Sequence, residues 1–414
     1  MPQPIKVYLG QVPLFDAGQS SAGYVRPSDW LPLPAAEPQS VKILNAVFDQ
    51  TENYAMLRMI LNPVASTYQV DWGDGVVENI TSNVNAFHNY DFNNPTLDGT
   101  LCSRGYKQAI ITVKPNSGVC TFFTLNLKAT SPAGLQTYST GALDINVNLP
   151  SLIGGARLQI GGNSVRHNLL ERANISSWGG LTLLDNLFFN CFRLQSVNET
   201  EWNTANIVSV SNIFRSCGAL KSLDCSNWDI SKISNWSAAF LACYGLVSFK
   251  APSGTIPVGG NFTNILGSCN SLEELDLSGF NVSNVTNMNN AFGGCISLRK
   301  INLTGWNTLA VTNATNLFSN CYTLQEIPDL NLSSATMAGA GFCAGSNSLT
   351  RMRATGINVS VNISQCMLGA DNLNEVYTNI SANGSGKTIT VTGNYGTSSD
   401  DPTIATAKGW TVVG

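Results

Sequence analysis

Charge is scarce in this chain. Only 12% of its 414 residues are Asp, Glu, Lys or Arg, and 22 basic against 26 acidic side chains leave a formal net charge of −4. No cluster of Lys or Arg occurs, which argues against nucleic acid as a partner, because phosphate neutralisation needs clustered cations. Histidine is scarcer still: His88 and His167 stand far apart, and neither has a second metal-type ligand at a zinc spacing. The Gly-x-Ser-x-Gly elbow, the phosphate-binding loop and the dinucleotide fingerprint are also missing, so no cofactor is expected. No window approaches the roughly 20 consecutive apolar residues of a membrane span, and Met1–Gly10 lacks the apolar core of a secretory signal. The expectation is a chain made and folded in a cytosol, with no membrane partner and a surface wetted mainly by Ser, Thr, Asn and Gly.

What is present is a ladder. Cysteines stand at Cys191, Cys217, Cys243, Cys269, Cys295 and Cys321, and each successive difference, as in 217 − 191, is 26. Leucine follows three residues after each, at Leu194, Leu220, Leu246, Leu272, Leu298 and Leu324. Phenylalanine precedes by three at Phe188, Phe214, Phe240, Phe292 and Phe318, with Leu266 in the remaining place. A constant period of this size means one supersecondary unit per repeat, stacked so that each coil buries its apolar edge on its neighbours. Eleven cysteines in a long chain without a signal are read as reduced rather than disulfide-bonded, and the six periodic ones as small core residues, one per coil.

The unit is cleanest at Leu272-Glu-Glu-Leu275-Asp-Leu277, where Leu-x-x-Leu-x-Leu predicts a short strand with Leu275 and Leu277 inward and Asp276 outward. An aromatic recurs at Trp202, Trp228, Phe280 and Trp306, with Gly254 in the gap. Val282, Val285, Met288 and Phe292 then recur at three or four, which predicts a helical or 3-10 wall opposite the strand. These residues, with the string Asn284-Val-Thr-Asn-Met288, resemble the BspA-type leucine-rich repeat of bacterial and phage surface proteins. The resemblance covers about Leu169 to Val376. Divergent coils extend it backwards to strands at Leu158-x-Ile160 and Leu143-x-Ile145. Forwards it runs through Leu349 and Leu373, with Ser346 and Ala370 in the cysteine column.

Ahead of the ladder, residues 41–132 alternate in short runs divided by turn residues, as in an all-β sandwich. Candidate strands are Val41–Phe48, Ala55–Leu61, Tyr68–Trp72, Gln108–Val113 and Thr121–Leu127. Tyr68-Gln-Val-Asp-Trp-Gly-Asp-Gly75, with His88-Asn-Tyr90, resembles the PKD domain, an immunoglobulin-like sandwich. Asp74-Gly75 is a tight-turn dipeptide, Trp72 can plug the space between sheets, and His88 and Tyr90 can bond back to the turn. Asp71 and Asp74 are weak Ca²⁺ candidates, since paired carboxylates suit a hard cation, but capping of the turn weighs more. Cys102 and Cys120 pair only if the insert between Asp91 and Arg104 folds back.

Residues 1–40 are rich in proline and read as an extended attachment arm carrying Tyr8, Trp30, Leu31 and Leu33, laid either on its own sandwich or on another subunit. Lys6-Val-Tyr-Leu-Gly10 and Arg26-Pro-Ser-Asp-Trp-Leu-Pro-Leu-Pro34 resemble N-termini of tailed-bacteriophage structural proteins. The fold expected is therefore mainly β. A PKD-like sandwich (41–132) is followed by a leucine-rich-repeat solenoid with a parallel sheet and short helical or 3-10 turns (141–380), then C-terminal capping strands (381–414).

The outward strand column reads Asn198, Asp224, Lys250, Asp276 and Asn302, with Arg353 later. Its mixed charge predicts a solvated face able to bind a ligand or partner. Paired acids among Asp224, Glu273, Glu274 and Asp276 are the feature a polysaccharide-degrading spike would need. Asn-x-Ser/Thr triplets such as Asn281-Val-Ser283 are read as turn amides laddered onto the next coil rather than glycosylation sites. Together the resemblances imply a non-enzymatic virion protein, either a capsid decoration or a tail-associated adhesin, released by lysis. Its expected partners are other virion proteins through residues 1–40 and the PKD-like domain, a host-surface glycan or protein, and further copies of itself. The rivals are a bacterial cell-surface adhesin and the degrading spike.

Overall fold

A computed structural model describes residues 24–50, 53–126, 128–130, 137–139, 141–152, 156–161, 169–337 and 341–414. Tyr8 and His167 lie outside the described residues. The chain is mainly β, with 31% strand and 6% helix, and contains a β-solenoid of about 10 turns. Its N-terminal strands are β1 (Ser40–Val47), β2 (Tyr54–Asn62), β3 (Thr67–Asp71), β4 (Val77–Thr81), β5 (Asn85–Asn89), β6 (Lys107–Pro115) and β7 (Val119–Asn126). The short hairpin β8 (Lys128–Thr130) and β9 (Thr137–Ser139) leads into β10 (Ala142–Asn148), β11 (Arg157–Gln159), β12 (Arg172–Ser177) and β13 (Ser196–Val197). Burial alternates strictly along β2, with Ala55, Leu57, Met59 and Leu61 inward, which is the signature of a strand with one face on the core.

These strands form two sheets, ordered β13-β12-β10-β1-β6-β3-β4 and β11-β7-β2-β5. The sequence puts a domain boundary between residues 132 and 141, yet both sheets run through it. Strand β10 lies antiparallel to β1, with Ile43 opposite Ile145, and β12 and β13 continue the same sheet in parallel. On the other side β11 lies parallel to β7, with Leu158 opposite Phe123. Each wall of the solenoid thus begins as the next strand of one N-terminal sheet, and one hydrophobic core runs from Val41 to Trp410. Leu158 and Ile160, expected in the same wall as Leu143, belong to the opposite one, where the Ile160 amide donates to Leu187 O at 2.9 Å.

The first sheet is covered on both faces at β1 and β10. Leu44, Ala46 and Leu143 point away from the main core into a second cluster with Trp30, Cys102 and Tyr106, against which Leu31 and Leu33 pack. Of the two placements open for Trp30, Leu31 and Leu33, these side chains lie on the chain's own strands: Trp30 is 3% exposed and Leu31 and Leu33 are half-buried. Trp30 Nε1 donates to Tyr106 Oη at 2.9 Å, and the guanidinium groups of Arg26 and Arg104 each lie 5.4 Å from its ring. Arg26 also donates to the buried Asp144 at 2.8 Å, and Arg104 pairs with Glu171 at 2.5 Å. Residues 24–36 are thereby strapped across the seam where the N-terminal strands give way to coils. Cys102 sits in this outer cluster and Cys120 in the main core, so the two do not pair.

Within a coil, the strand positions pair in parallel from one repeat to the next, as Leu223 with Phe249 and Leu275 with Ile301. The opposite wall differs from the helical or 3-10 wall expected. Among the described coils, 3-10 geometry is confined to Glu199–Glu201 and Gly341. Two residues per coil adopt positive φ, in columns Asn186, Asn212, Ala238, Asn264, Asn290, Asn316 and Asn190, Ser216, Ala242, Ser268, Gly294, Asn320. Their amides turn along the solenoid axis and donate to the next coil, as Asn212 N to Ser237 O at 3.0 Å and Ser216 N to Leu241 O at 2.8 Å. A helix would keep those amides within its own turn, so the wall is a row of tight turns joined by axial hydrogen bonds.

All eleven cysteines are buried thiols. The ladder thiols do more than fill space. Cys217 Sγ donates to Phe188 O at 3.3 Å, Cys243 to Phe214 O at 3.1 Å, Cys269 to Phe240 O at 3.3 Å, Cys295 to Leu266 O at 3.1 Å and Cys321 to Phe292 O at 3.2 Å. Ser346 continues the column with its hydroxyl on Phe318 O at 2.7 Å. The next member is Cys366, on Cys343 O at 3.3 Å, and not Ala370, which opens helix α1 (Ala370–Asn379). The helix packs Leu373, Val376 and Tyr377 over the last coils, and Lys408 Nζ caps its end by donating to Thr378 O at 2.6 Å and Ile380 O at 3.2 Å. A short helix α2 (Thr403–Thr406) and parallel strands at Val361–Asn362, Thr388–Thr390 and Thr411–Val413 close the array, with Trp410 buried.

Candidate functional site

The outward strand column is brought together in one row, but its side chains are spent on the fold. Asp224 Oδ1 accepts from Ser226 N at 3.1 Å, Asp276 Oδ1 from Ser278 N at 2.9 Å and Asn302 Oδ1 from Thr304 N at 3.0 Å. Each is an Asx turn that ends its strand, which is what Asp-x-Ser and Asn-x-Thr favour. Lys250 Nζ pairs with Asp224 at 2.6 Å, and this bond, with the Ser226 hydroxyl, holds the Asp224 carboxyl below the usual range. The Ser278 amide and hydroxyl do the same for Asp276, to which Asn302 Nδ2 also donates at 3.1 Å. Asn198 plugs a gap in the backbone ladder, donating to Ile175 O at 3.0 Å while accepting from Ile175 N at 2.8 Å. Arg353 reaches Glu326 at 2.6 Å.

Of the four carboxylates named from the sequence, Asp224 and Glu273 are taken up in ion pairs, while Glu274 and Asp276 are both exposed, two residues apart on one strand. Lys250 stands in the row between Asp224 and Asp276, and Glu273 is held by Arg299 at 2.6 Å. Glu199 is the buried exception: desolvation raises its pKa, while Oε1 accepts from Asp224 N at 2.8 Å. The Asn-x-Ser/Thr triplets bond in two directions. Their oxygens accept two residues ahead in the same coil, as Asn281 from Ser283 N at 3.1 Å and Asn313 from Thr315 N at 3.0 Å. Their amide nitrogens ladder onto the neighbouring coil, as Asn281 Nδ2 to Thr255 Oγ1 at 3.2 Å and Asn284 Nδ2 to Ile256 O at 3.0 Å.

A rim beside the strand face carries the side chains the fold leaves open. The residue after each ladder cysteine must point outward because the cysteine points in. That column reads Phe192, Gly218, Tyr244, Asn270, Ile296 and Tyr322. Tyr244 is 48% exposed, Ile296 38% and Tyr322 46%, and Val247 adds to the same edge. The Tyr244 ring lies against Gly218, 3.7 Å from the place a Cβ would take there, so one side of the ring is backed by backbone. Sequence reasoning singled out the strand column and passed over this one, although the same period of 26 would have exposed it. A cleft of about 250 Å³ between two of the first coils, lined by Ser176, Ser177, Trp178, Glu201, Trp202 and Asn203, opens near the start of the row.

The Asp71 and Asp74 carboxylates are engaged by their own turn. Asp71 Oδ1 accepts from Gly73 N at 2.9 Å, Asp74 Oδ1 from Val76 N at 3.2 Å, and His88 Nε2 meets Asp74 Oδ2 at 2.7 Å. The His88 ring stacks on Trp72 at 5.0 Å and Tyr90 Oη donates to Trp72 O at 2.9 Å. Among the described residues, no group of three or more His, Cys, Asp or Glu is placed to hold a metal ion, and no helix is long and apolar enough to cross a membrane.

Over residues 165–251 and 260–352 the chain is similar to a family described as Mycoplasma protein of unknown function, DUF285. The interval between the matched stretches falls on the coil where Gly254 replaces the column tryptophan. No curated protein and no solved structure matches the chain.

Proposed function

We propose that this protein is a non-enzymatic virion structural protein of a tailed bacteriophage, a capsid decoration or a tail-associated adhesin, whose leucine-rich-repeat solenoid presents a binding edge. In this reading the N-terminal strands are a PKD-like, immunoglobulin-like base. The turn that joins Trp72, Asp74, His88 and Tyr90 supports that assignment. The base, with residues 1–40, attaches to other virion proteins or to further copies of the chain, and the solenoid meets a host-surface glycan or protein.

The observation that carries the reading is the rim. Tyr244, Val247, Ile296 and Tyr322 stay open along an edge beside a strand row in which Asp224 pairs with Lys250 and Glu273 with Arg299, and exposed aromatics on a rigid frame are the common anchors of recognition. The phage assignment rests on the short N-terminal phrases. It is tested by mass spectrometry of purified virions, where the chain is expected among particle proteins; its presence instead in a bacterial envelope fraction sinks the assignment. Binding is tested by Tyr244→Ala with Tyr322→Ala, expected to lose at least tenfold in affinity for host cells with the melting temperature unchanged.

The second reading, a bacterial cell-surface adhesin, is favoured by the similarity to a family of Mycoplasma proteins. The same rim serves it. The fractionation result separates the two.

A further inference from the structure

The repeat breaks at one place in a way that brings two sulfurs together. Alignment by axial hydrogen bonds puts Phe318 N on Phe342 O, so Cys343, and not Phe342, occupies the phenylalanine column of its coil. The following coil is short: Gly345 N donates to Ser364 O at 3.1 Å, which places Cys366 under Ser346, in the cysteine column, after only 20 residues (366 − 346). In every ladder step from Cys217 to Cys321 the thiol lies against a phenylalanine-column carbonyl of the coil before. At this step the residue carrying that carbonyl is itself a cysteine. Cys366 Sγ is 3.3 Å from Cys343 O and 4.0 Å from Cys343 Sγ.

We propose that Cys343 and Cys366 are a latent disulfide, closed by a peroxide-class oxidant, that staples the last regular coil to the C-terminal cap. Closure takes the sulfurs from 4.0 Å to a bond of about 2.05 Å. The Cys366 thiolate attacks one peroxide oxygen; the O–O bond breaks and the departing hydroxide, with the proton Cys366 released, becomes water. Cys343 sulfur then displaces the sulfenic oxygen as a second water and the S–S bond forms, so that two thiols and one hydrogen peroxide give one disulfide and two waters.

The pair is polarised for this order of events. The Cys343 thiol stabilises a thiolate on Cys366 and pulls its pKa down, while the same bond and burial push Cys343 up. The ladder thiols from Cys217 to Cys321 are all pushed up by burial, which makes them poor nucleophiles; Cys366 faces carbonyls as they do, and differs in the Cys343 sulfur beside it. Met367, beside Cys366, is 49% exposed.

The test is hydrogen peroxide treatment of the purified full chain, followed by non-reducing peptide mapping. Conversion of the exposed Met367 to its sulfoxide reports that oxidant reached this edge. The expected result is one cross-linked peptide joining Cys343 to Cys366, lighter by two hydrogens, reversed by dithiothreitol, with a raised melting temperature in the oxidised form. Cys366→Ser, in a column that already holds Ser346, and Cys343→Phe, which restores the column residue, are each expected to remove the link, and Cys217→Ser to leave it. If Cys343→Phe fails to fold, Cys366→Ser decides alone. Complete oxidation of Met367 without the link, a link between other cysteines, or oxygen addition at Cys366 with Cys343 still a thiol would overturn the proposal.

Discussion

The two ends of this molecule solve the same packing problem with opposite strategies. In the N-terminal sheets each buried role is filled once: Trp72 stacks on His88, Nε1 donates to Glu78 at 2.7 Å, and Tyr90 ties down the turn. In the coils each role is filled by a column, with Phe188 and Phe214 stacked at 5.4 Å and Phe292 and Phe318 at 5.4 Å. Damage to a singular residue has no spare, whereas damage to a column is shared with the coils on either side. The difference also governs what can be foreseen, because a column is visible as a period and a singular contact between distant strands is not.

Alkaline titration is the widest challenge to the columns. Folded, Cys243 and Cys295 are pushed by burial up to about 12, against an ordinary thiol at 9.0. The unfolded chain loses those protons from about pH 9, so stability is full below that value and falls as pH rises towards 12. The slope is about 1.4 kcal/mol per unit for each such thiol. The melting temperature is expected to hold from pH 7 to about 8.5 and then fall steeply, and less steeply in Cys295→Ser. A flat profile to pH 11 would mean that the column is open to solvent.

Paired large-to-small substitutions come next. Trp72→Ala is expected to cost about 3–5 kcal/mol and, because β1 and β10 share a sheet, to remove amide exchange protection from β10 and β12 as well as β1. Phe240→Ala, similar in size of loss, is expected to raise exchange only in its own coil and the two beside it. Equal spread of the two defects would erase the contrast.

Smaller effects resolve the thiol ladder. Cys269→Ala removes the thiol donor from Phe240 O, which keeps the Cys243 amide, and leaves a small void, and is expected to cost about 1–2 kcal/mol. Cys269→Ser is expected to cost under about 1 kcal/mol, since Ser346 shows a hydroxyl making the same bond. From sequence alone a serine there would count as an unpaired hydroxyl and rank as the harsher change. Smallest, and opposite in sign, is Ala242→Gly: Ala242 sits at φ 61°, and relief of that strain is expected to raise stability by up to about 1 kcal/mol in thermal melts.

The coil was legible because its leucines, phenylalanines and cysteines repeat in type as well as in place. The opposite wall was misjudged for a physical reason. Spacing of three or four fits a turn closed by bonds three residues apart as well as it fits a helix. What distinguishes them is the left-handed columns, whose members are Asn, Ser, Ala or Gly and so carry no single letter. Cys366 was missed because a shortened coil broke the count. The strap at Trp30 was one of two placements left open, and β1 decides between them: Val41, Ile43, Leu44, Ala46 and Val47 are apolar on both faces, which a strand covered on one side alone does not need. The rim was hidden by reading the strand face first.

The sharing of sheets between base and solenoid also bears on how such a chain can change over generations. Since the ladder from Cys191 to Cys321 keeps one interval of 26, an in-frame duplication or loss in units of 26 codons there alters the length of the array by about 4.8 Å per coil. Reach becomes a trait that mutation can adjust in steps, separately from the chemistry at the edge. A frame of this kind lets a lineage try new lengths without first relearning how to fold.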